Sequence, residues 1–85
     1  MFYYIYVLKS DIDGNLYVGL TTDLRRRVKE HDNGQVHSTA ARRPLKLVYY
    51  EACQSQADAY QREKYLKTAW GKRYIRNRLR NYLTG

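Results

Sequence analysis

A chain of 85 residues and 10.2 kDa has room for one small domain, which excludes two separately folded units and any large cofactor-binding fold. Lys and Arg number 16 against 8 Asp and Glu, and the formal net charge of +8 favours a polyanionic partner such as nucleic acid. The single cysteine, Cys53, excludes an intramolecular disulfide, and a four-ligand structural zinc site would need carboxylates.

We expect neither a targeting signal nor a membrane span in this sequence. About eight apolar residues open it, with no basic segment before them and no small-residue cleavage site after them, so we expect no signal peptide. Nothing approaches the ~20 apolar residues that span a bilayer. A cytoplasmic protein is expected. Its positive charge lies in residues 25–85, which hold 15 bases and 5 acids.

The first two predicted elements form a β-hairpin. Residues 2–8 are aromatic and β-branched, which predicts a strand buried on both faces. Asp13-Gly14 is a hairpin turn signal, and residues 16–19 are the returning strand. If Asp13 and Gly14 are the two turn residues, the residue numbers of any two residues that lie opposite each other in the two strands add up to an odd number. Tyr6 and Tyr17 are therefore predicted to share a face of the sheet.

A helix is predicted after the hairpin. Residues 21–23 offer oxygens that can cap its first amides, and the helix should continue to about Asp32. At 100° per residue its narrow inward stripe consists of Leu24, Val28 and His31. Arg27 lies at the edge of this stripe, one helical turn before His31, so the two side chains reach the same region.

The rest of the chain adds a strand and two helices. Residues 33–43 are predicted to be a polar loop, and residues 47–50 a third strand. A helix begins at Ser55 and reaches about residue 69, with an inward stripe of Ala59, Glu63, Leu66 and Trp70. Gly71 separates it from a last helix over residues 72–83, whose apolar side is Ile75, Leu79 and Tyr82 or Leu83. These elements predict an α+β fold with a three-stranded mixed or antiparallel sheet flanked by helices, in the order ββαβαα.

Glu63 is the most unusual residue in this pattern. It is the only acid among eight bases between Arg62 and Tyr82, and it lies on the inward stripe of its helix. An unpaired buried carboxylate costs several kcal/mol, so a cation must meet it unless the stripe is only half buried. That cation is either a basic side chain, with Arg27 as a candidate, or a divalent metal ion.

The aromatic residues are also unusual, because ten tyrosines accompany one Phe and one Trp. Most of the tyrosines are expected in the core or half buried in strands. A buried phenol needs a hydrogen-bond partner, so Tyr6 and Tyr17 on one face can line a polar site.

These positions coincide with the signature of a known family. Tyr4-Ile5-Tyr6 and Tyr17-Val18-Gly19 resemble the GIY-YIG signature, and the similarity extends through residues 21–31, 42–51 and 59–67. The chain thus resembles the small standalone GIY-YIG nucleases. It is more distantly similar to the N-terminal nuclease domain of the bacterial excision-repair endonuclease and to some homing endonucleases.

The resemblance implies a GIY-YIG-like fold over residues 1–85 and a metal-dependent endonuclease that cuts DNA. Its implied catalytic residues are Tyr6, Tyr17, Arg27, His31 and Glu63. Glu63 would hold Mg²⁺ or Mn²⁺, Arg27 would bind the phosphate, and either Tyr17 or His31 would act as general base. Two departures are Tyr4 in place of a glycine and Leu20 in place of a lysine found in excision-repair relatives. A late asparagine of some relatives corresponds to Asn77, or less well to Asn81.

Several outward-facing bases are expected to contact DNA phosphates without reading sequence. They are Arg25, Arg26, Lys29, Arg42, Arg43, Lys64, Lys67 and Lys72. The alternative to a nuclease is a non-catalytic DNA- or RNA-binding module that uses the same basic surface. A role in DNA repair, a monomer or weak homodimer, and a partner protein for specificity complete the expectations.

Overall fold

Three strands form one antiparallel sheet with helices on both of its faces. The computed structural model describes all residues 1–85. Its elements are β1 (Tyr3–Ser10), β2 (Leu16–Thr21), α1 (Leu24–Asp32), α2 (His37–Ala40), β3 (Leu45–Cys53), α3 (Gln56–Leu66), α4 (Ala69–Arg78) and α5 (Arg80–Thr84). The strand order is β2-β1-β3, so β1 is the central strand and is hydrogen-bonded on both edges. The predicted α+β class is confirmed, and the sheet is antiparallel rather than mixed.

The two hairpin strands pair so that opposite residue numbers add up to an odd value, as predicted, but the loop is longer than predicted. The Ser10 amide donates to the Asn15 carbonyl at 3.0 Å, so the loop has four residues, with Gly14 in the left-handed region at φ 71°. Partner numbers in β1 and β2 sum to 25, an odd value, as in Tyr6 opposite Gly19. Tyr6 and Tyr17 therefore lie on the same face, as predicted, as diagonal neighbours.

The two faces of the sheet carry separate apolar clusters. On one face, Ile5 and Val7 of β1 pack with Leu16 and Val18 of β2 against α3 and α4. On the other face, the cluster of Tyr6, Leu8 and Leu45 packs with Tyr17 and with Leu24 and Val28 of α1. The side chains of β1 alternate between the two clusters, which confirms that its middle is buried on both faces.

The first helix begins and ends where the sequence predicts. The Asp23 carboxylate accepts a hydrogen bond from the Arg26 amide at 3.2 Å, which caps α1. The predicted polar loop over residues 33–43 contains the short helix α2, and Val36 and Thr39 are buried there. The prediction of a simple loop was wrong, because these two side chains lie one helical turn apart and both face the core.

The C-terminal helices differ from the prediction in where they break. The capping of α3 by Ser55 is as predicted, but α3 ends at Leu66. The Thr68 hydroxyl accepts from the Gly71 amide at 3.1 Å and so begins a new helix. Trp70 consequently belongs to α4 and is 68% exposed, so its predicted place on the inward stripe was wrong.

The prediction that Gly71 separates two helices was wrong, because Gly71 lies buried inside α4. A Cβ at this position would overlap the backbone of Tyr65 and Leu66, so α4 can approach α3 only with a glycine there. The predicted last helix is divided at Leu79, and Leu83 rather than the exposed Tyr82 lies on its less exposed side. None of the helices is both long and apolar enough to span a membrane.

Candidate active site

Tyr6 lies at the centre of the candidate site. It belongs to the middle of the central strand, and its side chain is almost fully buried. The ring lies directly over Gly19 of β2, where a Cβ would overlap the ring and the hydroxyl. The glycine of Tyr17-Val18-Gly19 is therefore the residue that makes room for the Tyr6 phenol.

Two residues of α1 hold the Tyr6 hydroxyl. The Arg27 Nε donates to the Tyr6 Oη at 3.3 Å, and the Tyr6 Oη lies 2.9 Å from the His31 Nε2. Arginine has only donors, so the phenol oxygen accepts from Arg27, and the phenol hydrogen is free to be donated to His31. The i, i+4 spacing of Arg27 and His31 predicted that both side chains reach the same region, and in the structure they share the Tyr6 phenol as their partner.

The Tyr6 phenol and the His31 imidazole are both neutral near pH 7. Burial raises the pKa of Tyr6, although the hydrogen bond from Arg27 opposes this shift. Burial, and then the positive charge of Arg27, lowers the pKa of His31. A neutral His31 has one ring nitrogen as donor and one as acceptor, which fits acceptance from Tyr6 at Nε2.

Thr39 binds the other side of the imidazole. The His31 Nδ1 lies 2.7 Å from the Thr39 Oγ1, and both residues are 0% exposed. With Nε2 accepting, Nδ1 carries the hydrogen and donates it to Thr39, whose own hydroxyl donates to the Val36 carbonyl at 3.4 Å. Sequence reasoning missed Thr39, since its only local signal is its one-turn spacing from Val36.

Tyr17 completes the face beside this hydrogen-bonded chain. Its ring centroid lies 5.2 Å from that of His31 and 6.5 Å from that of Tyr6. Tyr17 is half buried, and its hydroxyl has no hydrogen-bond partner within the protein. Among the three ring residues of the site, Tyr17 is the one with a polar group left for a substrate or a water molecule.

The charged partners of Arg27 and of Glu63 differ from the ion pair considered from the sequence. Arg27 Nη1 lies 3.1 Å from the Glu30 Oε1, and Glu63 Oε2 lies 2.9 Å from the Lys67 Nζ. The suggested Arg27–Glu63 pair is therefore wrong. Each charge instead pairs three or four residues away on its own helix, where side chains meet at helical spacing.

Glu63 lies in the other layer of the fold. Its helix, α3, packs on the face of the sheet that does not carry Tyr6. Burial is the main reason that the pKa of Tyr6 is raised, and the negative charge of Glu63 is the smallest of the contributions that raise it. The Glu63 side chain is only 15% exposed.

The site offers a metal ion one carboxylate, that of Glu63. The structure has no group of three or more His, Cys, Asp and Glu side chains that could hold a metal ion together. A single carboxylate suits Mg²⁺, which binds through one or two carboxylates and completes its shell with water and phosphate oxygens. The residues present therefore fit Mg²⁺ at Glu63 and do not fit a zinc site.

The bases expected to contact phosphate differ in whether they already interact with another group of the protein. Arg25, Lys29 and Lys72 are exposed, and Arg26 Nε lies 3.4 Å from Glu30. Arg42 pairs with Asp13 at 3.5 Å, and the Arg43 Nε donates to the Ala40 carbonyl at 2.9 Å. Lys64 lies over the Tyr60 ring, and Lys67 pairs with Glu63. Asn77 and Asn81 are exposed on α4 and α5.

Comparison with known proteins identifies the family. Residues 2–77 match the model of the GIY-YIG catalytic domain. The chain belongs to the GIY-YIG family. The UPF0213 protein of Staphylococcus saprophyticus is 42% identical to it over 67 residues, which are 78% of this chain and 80% of the relative. That of Clostridium perfringens is 43% identical over 65 residues, which are 75% of this chain and 69% of the relative.

A solved structure of the family supports the same fold. The solution NMR structure of a UPF0213 protein from Bacillus halodurans is 35% identical, with a TM-score of 0.56. The similarity covers 88% of this chain and 82% of that chain. The GIY-YIG resemblance drawn from the sequence is confirmed. Membership of this nuclease superfamily implies a nucleic acid substrate.

Proposed function

We propose that this GIY-YIG domain is a divalent-metal-dependent endonuclease that hydrolyses phosphodiester bonds of DNA. The observation that carries the proposal is the convergence of two chemically distinct groups on one phenol, with a second phenol on the same face. Arg27 and His31 both hydrogen-bond the Tyr6 hydroxyl, and the Tyr17 ring packs against that of His31. A domain that only bound nucleic acid would gain nothing from the poorly exposed carboxylate of Glu63 among so many bases, because a carboxylate repels phosphate.

Glu63 is the proposed metal ligand. When bound, Mg²⁺ would supply positive charge that stabilises the negative charge developing on the phosphate and the leaving oxygen. The low exposure of Glu63 supports this role, because a half-buried carboxylate binds a cation more strongly than one in open solvent. Lys67, its present partner, is an exposed side chain that can move to a phosphate.

Arg27 is the proposed phosphate ligand. Its Nε is fixed by the Tyr6 hydroxyl and its Nη1 by Glu30, which together orient the planar guanidinium. A guanidinium held in this way offers donors in a fixed geometry to the non-bridging oxygens of a phosphate. In this proposal Arg27 keeps its bond to Tyr6 when the phosphate binds.

Tyr17 is the preferred general base. Both ring nitrogens of His31 already have partners in Tyr6 and Thr39, so His31 has no free position for a water proton. The Tyr17 hydroxyl has none of these partners. Its phenolate would accept a proton from the attacking water, which is effective only if bound cations favour the charged form.

The test is a cleavage assay on single-stranded DNA, duplex DNA and RNA with Mg²⁺, Mn²⁺ or EDTA. We expect metal-dependent cutting of DNA by the wild type and none by Glu63→Gln. The matched control is Asp58→Asn, which neutralises an exposed acid on the same helix and should cut normally. Equal cutting by Glu63→Gln and the wild type would overturn the metal assignment, and wild-type cutting by Tyr17→Phe would remove Tyr17 from the chemistry.

The same assay tests the alternative and the remaining expectations. Binding of labelled DNA or RNA without cleavage under any metal condition would favour the non-catalytic binding module. We further propose that residues 1–85 act as one nuclease domain in the cytoplasm, as a monomer or weak homodimer. A role in DNA repair, aided by a partner protein for specificity, is part of this proposal.

A further inference from the structure

The surface of α3 and α4 combines exposed aromatic rings with positive charge. Trp70 is 68% exposed and Tyr60 is 55% exposed. The Arg73 guanidinium lies over the Trp70 ring at 5.1 Å from its centroid, and the Lys64 ammonium lies over the Tyr60 ring at 5.3 Å. Because neither ring is buried, these pairs do not serve the core of the domain.

Two other rings of these helices have a structural task. Tyr65 and Tyr74 both lie beside Arg62, with 5.5 and 4.9 Å between its guanidinium and the ring centroids. Arg62 is itself held by two hydrogen bonds of 2.8 Å to Glu51 on β3. These rings therefore help to fasten α3 and α4 to the sheet. Trp70 does not contribute to this attachment, because its ring lies beside Arg73 instead of Arg62.

The chain segment that contains Trp70 carries charges of a single sign. No acidic residue occurs between Lys64 and Gly85, whereas this segment contains seven bases. They are Lys64, Lys67, Lys72, Arg73, Arg76, Arg78 and Arg80. A polyanion is the complementary ligand for such a surface.

Trp70 is also close to the proposed metal ligand. From Glu63, the chain rises about 6 Å to Lys67, and three further residues whose Cα atoms are at most 3.8 Å apart lead to Trp70. The Cα atoms of Glu63 and Trp70 are thus separated by at most about 18 Å. A strand bound at Glu63 can therefore reach this ring within a few nucleotides.

We propose that Trp70, with Arg73 beside it, is a stacking platform for an unpaired base of the nucleic acid. Stacking needs an accessible base face, which a single strand offers and a continuous duplex does not. As a statement about substrate choice, this inference rests on the proposed nuclease function: it predicts a preference for DNA with a single-stranded stretch beside the cut. Binding itself is testable without cleavage.

Trp70 is the only tryptophan of the chain, so its fluorescence reports this one position. With excitation at 295 nm in EDTA, a single-stranded oligonucleotide should quench the emission strongly and a duplex of equal length weakly. Equal quenching by both would overturn the proposal. So would binding to vesicles with anionic lipid, at equal salt, that exceeds binding to the oligonucleotide.

Anisotropy of a labelled single strand separates stacking from charge. Trp70→Ala should weaken binding about 5- to 160-fold, since base stacking contributes about 1–3 kcal/mol per base. Trp70→Phe should restore most of the affinity. Arg73→Gln should reduce the dependence of log K on log salt by about 0.7, whereas Trp70→Ala should leave that slope unchanged.

The matched control is Ile12→Ala, which removes a side chain that is 65% exposed in the acidic hairpin loop. It should bind as the wild type does. Unchanged affinity of Trp70→Ala would refute the platform whether or not the protein cuts DNA. Loss of affinity in that variant, together with no cleavage by the wild type, would retain the platform and reject the proposed nuclease.

Discussion

The replacement of Thr39 by valine tests the hydrogen-bonded chain at the centre of the site. Valine keeps the shape of threonine but removes the hydroxyl that accepts the His31 Nδ1 hydrogen. Both residues are 0% exposed, so water does not replace the lost acceptor. A buried donor left without a partner costs about 1–3 kcal/mol.

This cost is large for so small a domain. At about 0.05–0.15 kcal/mol per residue, the 85 residues have a free energy of unfolding of about 4–13 kcal/mol. We therefore expect Thr39→Val to lower the melting temperature by about 4–8 °C for each kcal/mol lost.

The assay is a double-mutant cycle of Thr39→Val and His31→Phe, with free energies of unfolding from urea titrations. If the hydrogen bond is energetically real, the coupling energy is about 1–3 kcal/mol. Thr39→Ser is the matched control, because it keeps the hydroxyl and should keep the coupling, although its lost methyl group costs ~0.8 kcal/mol. Coupling below about 0.3 kcal/mol would mean that the two side chains act independently and would refute this reasoning.

Two further predictions concern charge. Since burial and the charge of Arg27 lower the pKa of His31, the unfolded chain binds a proton more readily than the folded one. The free energy of unfolding, measured by urea titration, should be highest above pH ~6.5 and should fall as the pH drops towards the pKa of His31 in the folded protein. An equal fall in the His31→Phe variant would contradict this prediction. Lys67→Gln frees the Glu63 carboxylate and should tighten Mn²⁺ binding about 2- to 5-fold by calorimetry, because the Lys67 side of the ion pair is exposed. Lys64→Gln is the control, and weaker Mn²⁺ binding by Lys67→Gln would argue against competition between Lys67 and the metal.

The parts of this protein that the sequence predicted correctly depend on neighbours in the chain. The parity of the hairpin follows from the period of two in a strand, which placed Tyr6 and Tyr17 on one face even though the loop length was wrong. The starts of α1 and α3 follow from capping by Asp23 and Ser55, each within three residues of the amide it binds. The inward stripe of α1 follows from helical periodicity.

Contacts between distant residues decided the rest. The acceptor for His31 comes from the segment 33–43, and no local pattern indicates that Thr39 turns inward. Trp70 faces solvent because α3 ends four residues before it, and that break is stabilised by the close approach of Gly71 to the preceding helix. Periodicity extended α3 through this point, because it takes no account of what packs against a helix.

The sequence by itself determined which residue types were available to the site, and it identified Glu63 as an acid in an unusual position. Only the tertiary structure decided their partners: Lys67 rather than Arg27 for Glu63, and Tyr6 for both Arg27 and His31. The spacing of residues along a helix predicts which side chains lie on the same face of that helix and within one turn of each other. Which of several nearby charges meet depends on how the layers of the fold pack together, and that information lies in contacts between residues far apart in the chain.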